Sequence, residues 1–144
     1  MNKWVKIGVA IVLIGIMAAG LGYKFVYNKP HRDFEKAQAD YTLSCEEAYN
    51  AYVKNRTDAD QMYTGKVLQI EGELTSMETP DSMTILVFAL SEGMFGDEGV
   101  RITMLPKYDM MAQALLPGDN VKAKGFCTGY NDTDVILEKG SLIK

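Results

Sequence analysis

Residue types that carry out catalysis or bind metals are sparse in this sequence of 144 residues. His31 is the only histidine and has no partner at the spacing of metal ligands, so we expect a solvated residue in a connecting segment. Asn131 and Asp134 of "NDTD" could suggest calcium, but in a four-residue turn such side chains more simply bond to the backbone. The lysines of "GDNVKAKG" lack the spacing and the strand-to-helix context of a phosphate-binding loop. The sequence therefore predicts a protein that is not an enzyme, with no catalytic residues, no metal and no cofactor.

The two cysteines, Cys45 and Cys127, allow two interpretations. In an exported protein an even number of cysteines favours a disulfide, which here would staple a helix to the domain that follows it. The alternative is two separate buried thiols that pack as small apolar side chains. A cysteine nucleophile is the weakest interpretation, because the sequence supplies no base for it.

A long uncharged run, "IGVAIVLIGIMAAGLGY", stands near the N-terminus. Its 17 residues span about 25 Å as a helix, which is marginal for a hydrocarbon core of about 30 Å. Extension through Tyr27, with Lys24 reaching to the interface, gives enough length. We therefore predict an uncleaved transmembrane anchor over residues 1–27. The alternatives are a buried helix and a cleaved signal peptide, for which Ala18 and Gly20 offer small residues to a peptidase.

Basic residues are nearly balanced on the two sides of this run. Lys3 and Lys6 precede it, and Lys24, Lys29 and Arg32 follow it. The excess of cytoplasmic positive charge that usually sets orientation therefore gives no clear answer. The short tail before Lys3 resembles the front of a secretory signal. We expect a single-pass membrane protein whose main domain lies outside the cytoplasm, on the periplasmic side.

The segment after the anchor changes character twice. Residues 28–42 mix charges with a proline and have no apolar period, which is typical of a linker. A helical lead-in is predicted over residues 43–62, because Ser44 and Glu47 have the spacing of a capping box. Its apolar face has helical spacing and consists of Cys45, Ala48, Tyr49 and Tyr52. Asp58 is expected to cap a further turn that leads into the first strand.

From Tyr63 onward the apolar period is two, which indicates strands. The predicted strands are "GKVLQIEGELTSME", "MTILVFAL", "VRITMLP", "NVKAKGFCTGY" and "VILEKGSLI", with a loop "SEGMFGDEG" after the second and a helix "KYDMMAQALL" after the third. Gly72 inside the long first strand indicates a bend. Three strands, a helix and two strands are the plan of a five-stranded OB-fold barrel, predicted over residues 63–144. An open antiparallel sheet with a helix is the alternative.

Two stretches carry a resemblance to a known family: "YTGKVLQIEGELTSME" and "LPGDNVKAKGFCTGYNDTDVILEKGSLI". They resemble the Bacteroidetes-type tRNA_anti-like group of OB-fold proteins, in which a "GKV" strand opens the barrel and a segment with "GD", "KG", "CTGY" and "DV" closes it. The segment "YNKPHRD" after the apolar run also resembles members of that group. The resemblance covers roughly residues 63–143 and implies an OB fold on a membrane-tethered or exported chain. It implies no established activity.

Charge argues against a nucleic-acid partner. Residues 63–144 include seven basic and twelve acidic side chains, so their net charge is near −5. Such a barrel would repel a phosphate backbone unless its lysines were segregated. Lys122 and Lys124 do share one face of a predicted strand, with Phe126 and Tyr130 nearby. Alternate lysines on a strand are usually its solvated face, however, so we expect no nucleic-acid binding.

In an OB fold the ligand usually lies on the exposed face of strands two and three and on the loops around it. That face points to "SEGMFGDEG", where two apolar residues stand among glycines and acids. The candidate ligand-binding residues are Met94, Phe95, Arg101, Lys122, Lys124 and Tyr130. The predicted function is a membrane-anchored, non-catalytic binding module whose partner is a protein or an envelope glycan. The alternative is an OB-fold protein that binds single-stranded, tRNA-like nucleic acid.

Overall fold

The computed structural model of the chain describes residues 2–27 and 34–143. His31, Lys29, Arg32 and the side chain of Tyr27 lie outside the described part, so the predictions made for them stay predictions. The chain divides into two compact units, residues 1–32 and residues 33–144.

Helix α1 (Lys3–Gly22) is the main element of the first unit, and a π-helical turn continues it from Tyr23 to Tyr27. The 24 residues from Lys3 to Val26 contain a stretch with a mean hydropathy of 2.2, none of which is buried. At 1.5 Å per residue these residues extend over about 36 Å, enough for a hydrocarbon core of about 30 Å. By length and composition the helix is compatible with a membrane anchor or with a signal sequence.

The second unit begins with strand β1 (Tyr41–Ser44), which leads directly into helix α2 (Cys45–Lys54). The predicted capping box is confirmed at the start of this helix. The Glu47 N–H donates to Ser44 Oγ at 3.0 Å, and the Ser44 N–H donates to Glu47 Oε2 at 2.8 Å. These bonds satisfy two donors that the first helical turn otherwise leaves unpaired.

Helix α3 (Arg56–Tyr63) follows α2 after a single residue. That residue, Asn55, caps α3, because its side-chain oxygen accepts a hydrogen bond from the Asp58 N–H at 3.2 Å. The prediction that Asp58 is the cap was wrong. Asn55 ends α2 in an extended conformation and so takes the position from which a new helix is capped.

Within residues 34–143, seven strands form one sheet. After β1 come β2 (Val67–Glu73), β3 (Ser76–Glu78), β4 (Ile85–Gly93), β5 (Gly96–Met104), β6 (Asn120–Tyr130) and β7 (Asp134–Leu142). Their order in the sheet is β1-β2-β6-β7-β5-β4-β3. The pairs β1–β2 and β5–β7 are parallel, and the other neighbours are antiparallel. Helix α4 (Asp109–Gln113) lies in the connection from β5 to β6.

The core lies between the sheet and helix α2, which contacts β1, β2, β4, β5 and β7. From the helix, Ala48 and Tyr52 are buried completely or nearly so. The largest buried side chains of the strands are Leu68, Ile70, Leu86, Phe88, Ile102 and Leu137. The apolar face predicted for the lead-in helix therefore packs on the inward face of the strands, as helical spacing requires.

The mainly β class and the helix between strands are confirmed, but the strands differ from the prediction. The long first strand is broken at Leu74 and Thr75, close to the bend predicted at Gly72. The predicted loop "SEGMFGDEG" is mostly strand, because β4 and β5 continue their pairing up to Gly93 and Gly96. The sheet has seven strands and its hydrogen-bonded order ends at β1 and β3, so a closed five-stranded barrel is not confirmed.

Candidate functional site

The hairpin of β4 and β5 carries two predicted ligand-binding residues at its turn. Met94 and Phe95 connect the strands, and their relative exposures are 91% and 92%. We call these two residues the hairpin tip. Gly96 follows with a φ of +125°, which glycine adopts readily and which lets the chain reverse tightly. Behind the tip, Glu92 and Asp97 stand directly opposite each other, so the apolar tip projects from an acidic stem.

A cleft borders β4 next to this stem. Three adjoining depressions share Ala89 and Leu90, and we call the surface that they form the β4 cleft. The largest depression, about 600 Å³, also reaches Pro117 and Gly118. The acidic residues that line the β4 cleft are Glu46, Glu73, Glu92 and Asp97. Of the described residues that line it, none is basic.

Arg101 lies on the outward side of β5 between two carboxylates. Its Nη1 donates to Glu78 Oε2 at 2.8 Å, and its Nε donates to Asp134 Oδ2 at 3.1 Å. Asp134 is only 6% exposed, and its other oxygen accepts from the Gly99 N–H at 3.0 Å. Burial acts to lower the pKa of Arg101, but the hydrogen bonds and charges of the two acids raise it. The guanidinium thus joins β3, β5 and β7 within the domain.

A strap formed by residues 34–40 lies along the outward face of β6. Lys124 Nζ donates to the backbone oxygens of Glu35 and Ala37, each at 2.6 Å. A lysine ammonium has three donors, and here two of them bond to the backbone of the strap. The structure therefore places this predicted ligand-binding cation in a contact within its own domain.

Two further contacts hold the strap at its ends. The rings of Phe34 and Phe126 are 4.8 Å apart, and Lys139 Nζ lies 5.0 Å from the centre of the Phe34 ring. At the other end, the Val67 N–H donates to Asp40 Oδ2 at 2.9 Å, and the Asp40 N–H donates to the Val67 oxygen at 2.7 Å. The aromatic residue nearest to the two lysines of β6 is therefore covered by the strap.

Lys124→Met is expected to loosen the strap, because methionine keeps an aliphatic stem but supplies no donor to the two carbonyls. We expect amide hydrogen exchange in residues 35–40 to accelerate about tenfold, which corresponds to about 1.4 kcal/mol of lost protection. Lys122→Met is the control, since its Nζ lies 3.9 Å from Glu71 Oε2 in an exposed ion pair of little energetic weight. Equal exchange rates in the two variants would contradict this role of Lys124.

Tyr130, at the end of β6, packs against the helices. Its ring stacks on that of Tyr52 at 5.6 Å and meets that of Tyr49 edge-on at 6.5 Å. The Arg56 guanidinium lies 5.7 Å from its centre. Tyr49 Oη in turn donates to Glu98 Oε2 at 2.9 Å. Tyr49 and Tyr52, on the apolar face predicted for the lead-in helix, therefore join helix to domain, and Tyr130 is their partner in the sheet.

Both cysteines are buried and free. A Cβ at Gly72 would lie 2.7 Å from Cys45 Sγ, so the helix approaches β2 where no side chain intervenes. Cys127 Sγ lies 3.4 Å from Tyr52 Oη. The two thiols therefore have different neighbours, Gly72 for Cys45 and the Tyr52 hydroxyl for Cys127. The disulfide that the even number of cysteines favoured is not formed.

Burial raises the pKa of the Cys45 thiol from 9.0 to about 12 and also raises the pKa of Cys127. In the unfolded chain these thiols ionise near pH 9, whereas in the folded chain each ionises only at a higher pH. The free energy of unfolding should therefore fall as the pH rises above 9, by at most about 1.4 kcal/mol per pH unit for each thiol. Cys45→Ala should flatten this dependence in denaturant titrations of the full chain at pH 7.5, 9 and 10.5. An unchanged slope would contradict the shift of the Cys45 pKa.

No group of three or more His, Cys, Asp or Glu side chains within residues 2–27 and 34–143 is placed to hold a metal ion. In the "NDTD" turn, Asn131 Oδ1 accepts from the N–H groups of Thr133 and Asp134 at 3.1 and 2.7 Å. These are the side-chain-to-backbone bonds that the sequence predicted for this turn.

Sequence reasoning missed the acidic residues of the β4 cleft. Glu92 and Asp97 carried a local signal, because "EGMFGD" places them symmetrically about a turn, as opposed residues of a hairpin. Glu46 and Glu73 carried none, since they come from the helix and from the first long strand. Only the fold brings these four side chains to one surface.

The chain matches the tRNA_anti-like family model over residues 1–142. No curated protein matches the sequence. Among solved structures, a "putative nucleic acid-binding lipoprotein" from Klebsiella pneumoniae is similar, with a TM-score of 0.56 and 16% identity, covering 81% of this chain and 100% of that one. Yeast Stn1 and Ten1 give a TM-score of 0.40 and 8% identity, over 78% of this chain and 66% of that one.

The Klebsiella structure, at this low identity, bears on the fold alone, and the yeast structure is too dissimilar to carry an argument. The family model, by contrast, extends over nearly the whole sequence. Its range includes the first of the two stretches that carry the resemblance and all but the last residue of the second, and the strand order around the helix agrees with it. The chain therefore belongs to the tRNA_anti-like family of OB-fold proteins.

Proposed function

We propose that this chain is a membrane-anchored, non-catalytic module that binds a protein partner outside the cytoplasm through the hairpin tip. The observation that carries the proposal is the exposure of Met94 and Phe95, 91% and 92%. Burying such a side chain fully is worth about 2 kcal/mol. Large apolar side chains at a projecting turn, rimmed by polar residues, are typical of protein interaction sites. A glycan would need hydrogen-bonding groups, which these side chains lack.

Nucleic-acid binding is the second candidate function, and the name of the Klebsiella neighbour favours it. The cations of this domain argue against it. Arg101 is bound by Glu78 and Asp134, and Lys124 is bound by the strap. A phosphate backbone needs free cations and exposed rings on which bases stack. Among the predicted residues only Lys122 keeps a loose ion pair, which leaves too little positive charge for a single strand.

Anchoring by α1 is supported by the length and hydropathy of the helix. We propose that the anchor is retained and that the domain faces the periplasmic side. Alkaline phosphatase, which folds only in an oxidising compartment, is the suitable reporter after Lys144. High phosphatase activity in the membrane fraction is expected. Activity only from a reporter that works in the cytoplasm would overturn the proposed location.

Closure of the sheet into a five-stranded barrel is also a proposal. It is supported by the residues between β2 and β3, which connect the second strand of the sheet order with the strand at its far end. The Leu74 N–H donates to the Asp119 oxygen beside β6, and the Thr75 N–H donates to the Val87 oxygen of β4, each at 2.9 Å. In this proposal β2 and β3 act as one bent strand that pairs in both halves of the barrel, with β1 as an added edge.

Catalysis is not part of the proposal. Among the described residues, Cys127 and Tyr52 form a buried thiol–phenol pair of the kind that a nucleophilic mechanism would need. Burial raises the pKa of both groups. A thiol and a phenol that both hold their protons provide neither a nucleophile nor a base at neutral pH.

Photocrosslinking in living cells tests the proposed partner. The full chain would carry a benzophenone amino acid at Phe95 or, as a control, at Met110, which is 86% exposed in α4. We expect a discrete adduct at Phe95 only, digested by protease, resistant to nuclease and weakened by Met94→Ser. An adduct destroyed by nuclease, equal adducts at both positions, or no adduct at Phe95 would overturn the proposed function.

A further inference from the structure

One side of β4 lacks a strand partner over half its length. Strand β4 pairs with β5 along the whole hairpin, but with β3 only over Ile85–Val87. The Ala89 N–H donates to Oγ1 of Thr75, which lies between β2 and β3, at 2.9 Å. From Leu90 to Gly93 no described strand pairs with this edge. Four residues of strand extend over about 13 Å, enough to pair with a short peptide.

The edge of β2, in contrast to that of β4, is covered by another strand. There, β1 pairs with β2 in parallel from Tyr41 to Ser44 and covers the backbone groups. Exposed edges are templates for pairing with other chains, and proteins usually cover or interrupt them. Leu90, Ser91 and Glu92 of this edge line the β4 cleft, one depression of which also reaches α2 and another Thr75 and Asp97. The cleft therefore leaves room for an incoming strand.

Charge indicates what kind of strand fits. The β4 cleft is lined by four acids and, among described residues, by no base. Glu92 and Asp97 face each other as a cross-strand pair, an arrangement of like charges that destabilises a hairpin. A positively charged partner relieves this repulsion. Val53 and Leu90, 55% and 39% exposed, add apolar contact on the two sides of the cleft.

We propose that the β4 cleft binds an extended, lysine- or arginine-rich segment of the protein partner, which adds a strand to the edge of β4 at Leu90–Gly93. Main-chain hydrogen bonds supply the pairing, and alternate basic side chains meet Glu92 and Asp97. Apolar side chains between them reach Leu90 and Val53. This inference rests on the proposed function, since it names the chemistry of the protein partner that the hairpin tip contacts.

Fluorescence anisotropy with synthetic peptides tests the inference. The full chain is held in nanodiscs of neutral phosphatidylcholine, so that a basic peptide is not drawn to the lipid. The probe is an alternating lysine–valine heptapeptide. A version with N-methylated backbone amides keeps its charge but cannot pair as a strand, and a glutamate–valine version reverses the charge. We expect the first peptide to bind at least about tenfold more tightly than the other two.

Glu92→Lys is the test variant, and Glu138→Lys, an exposed residue of β7, is the matched control with the same change in charge. We expect Glu92→Lys to weaken the lysine–valine peptide about tenfold and Glu138→Lys to change its affinity less than about twofold. Equal binding of the N-methylated peptide, equal effects of the two variants, or no binding of the basic peptide would overturn the inference. If crosslinking at Phe95 persists in that case, the proposed function stands without it.

Discussion

Asp134→Ala is expected to destabilise the folded domain by about 3 kcal/mol. Asp134 is 6% exposed and holds three partners: Arg101, the Gly99 N–H and Thr133 Oγ1. Removing it leaves the buried Gly99 N–H without its acceptor and leaves the Arg101 guanidinium with Glu78 as its remaining carboxylate. Denaturant titration of the full chain measures the loss as a lower midpoint with an unchanged slope.

Glu78→Gln is the control for this prediction. Glu78 binds the same guanidinium at 2.8 Å, but its side chain is 50% exposed. An exposed ion pair contributes about 0–1 kcal/mol, so we expect a loss below about 1 kcal/mol. The two variants therefore separate a buried acceptor from a solvated one. If the two variants lower the free energy of unfolding by the same amount, Arg101 is held by surface charge alone and remains available to a ligand.

Gly99→Ala is expected to cost about 3 kcal/mol, at the upper end of what overpacking causes. A Cβ at this position would lie 1.9 Å from the Phe88 backbone oxygen, so β4 and β5 would have to separate. The collision is with backbone, which cannot rotate away as a side chain can. It falls where the register between Ala89 and Ser91 shifts, beside the start of the β4 cleft. Thermal unfolding of the full chain would detect the loss.

Gly96→Ala is the comparison within the same strand. No atom lies within 4 Å of a Cβ there, but the φ of +125° is unfavourable for alanine. Its cost is that of backbone strain alone, about 1–2 kcal/mol. A loss for Gly99→Ala no greater than that for Gly96→Ala would show that the two strands separate easily. The β4 cleft would then lie on a part of the sheet that deforms easily and would have no fixed shape.

The fold could be predicted from the sequence wherever local patterns determine it. Ser44 and Glu47 made the start of α2 visible, and the period of two located the strands of the second unit. Strand β1 was not predicted, because its four residues gain their pairing from β2, more than twenty residues later in the chain. The hairpin was predicted to be a loop, because glycines are uncommon inside strands. The strand pairing nevertheless continues to Gly93 and Gly96.

The candidate site could be predicted only in part. Met94 and Phe95 stand between glycines and acids in the sequence, and the structure exposes both side chains, while their role as a ligand-binding site stays a prediction. The roles of Arg101 and Lys124 could not be read from the sequence, because their partners lie at distances from 23 to 89 residues along the chain. A strand face with two lysines looks solvated and free until the strap is in place. Only tertiary structure determines which cations remain available.

The most direct test of this account is the affinity of the full chain for single-stranded nucleic acid. We propose that Arg101 and Lys124, two of the predicted ligand-binding cations, are used within the fold, so that the ligand is protein. The affinity is measured by fluorescence anisotropy of labelled RNA and DNA strands of about 20 nucleotides at about 50 mM salt. The full chain is held in phosphatidylcholine nanodiscs for this measurement. We predict no saturable binding up to about 100 μM protein, the weak limit of ordinary non-specific binders. Saturable binding that falls steeply with salt and is reduced by Lys122→Met would contradict the claim.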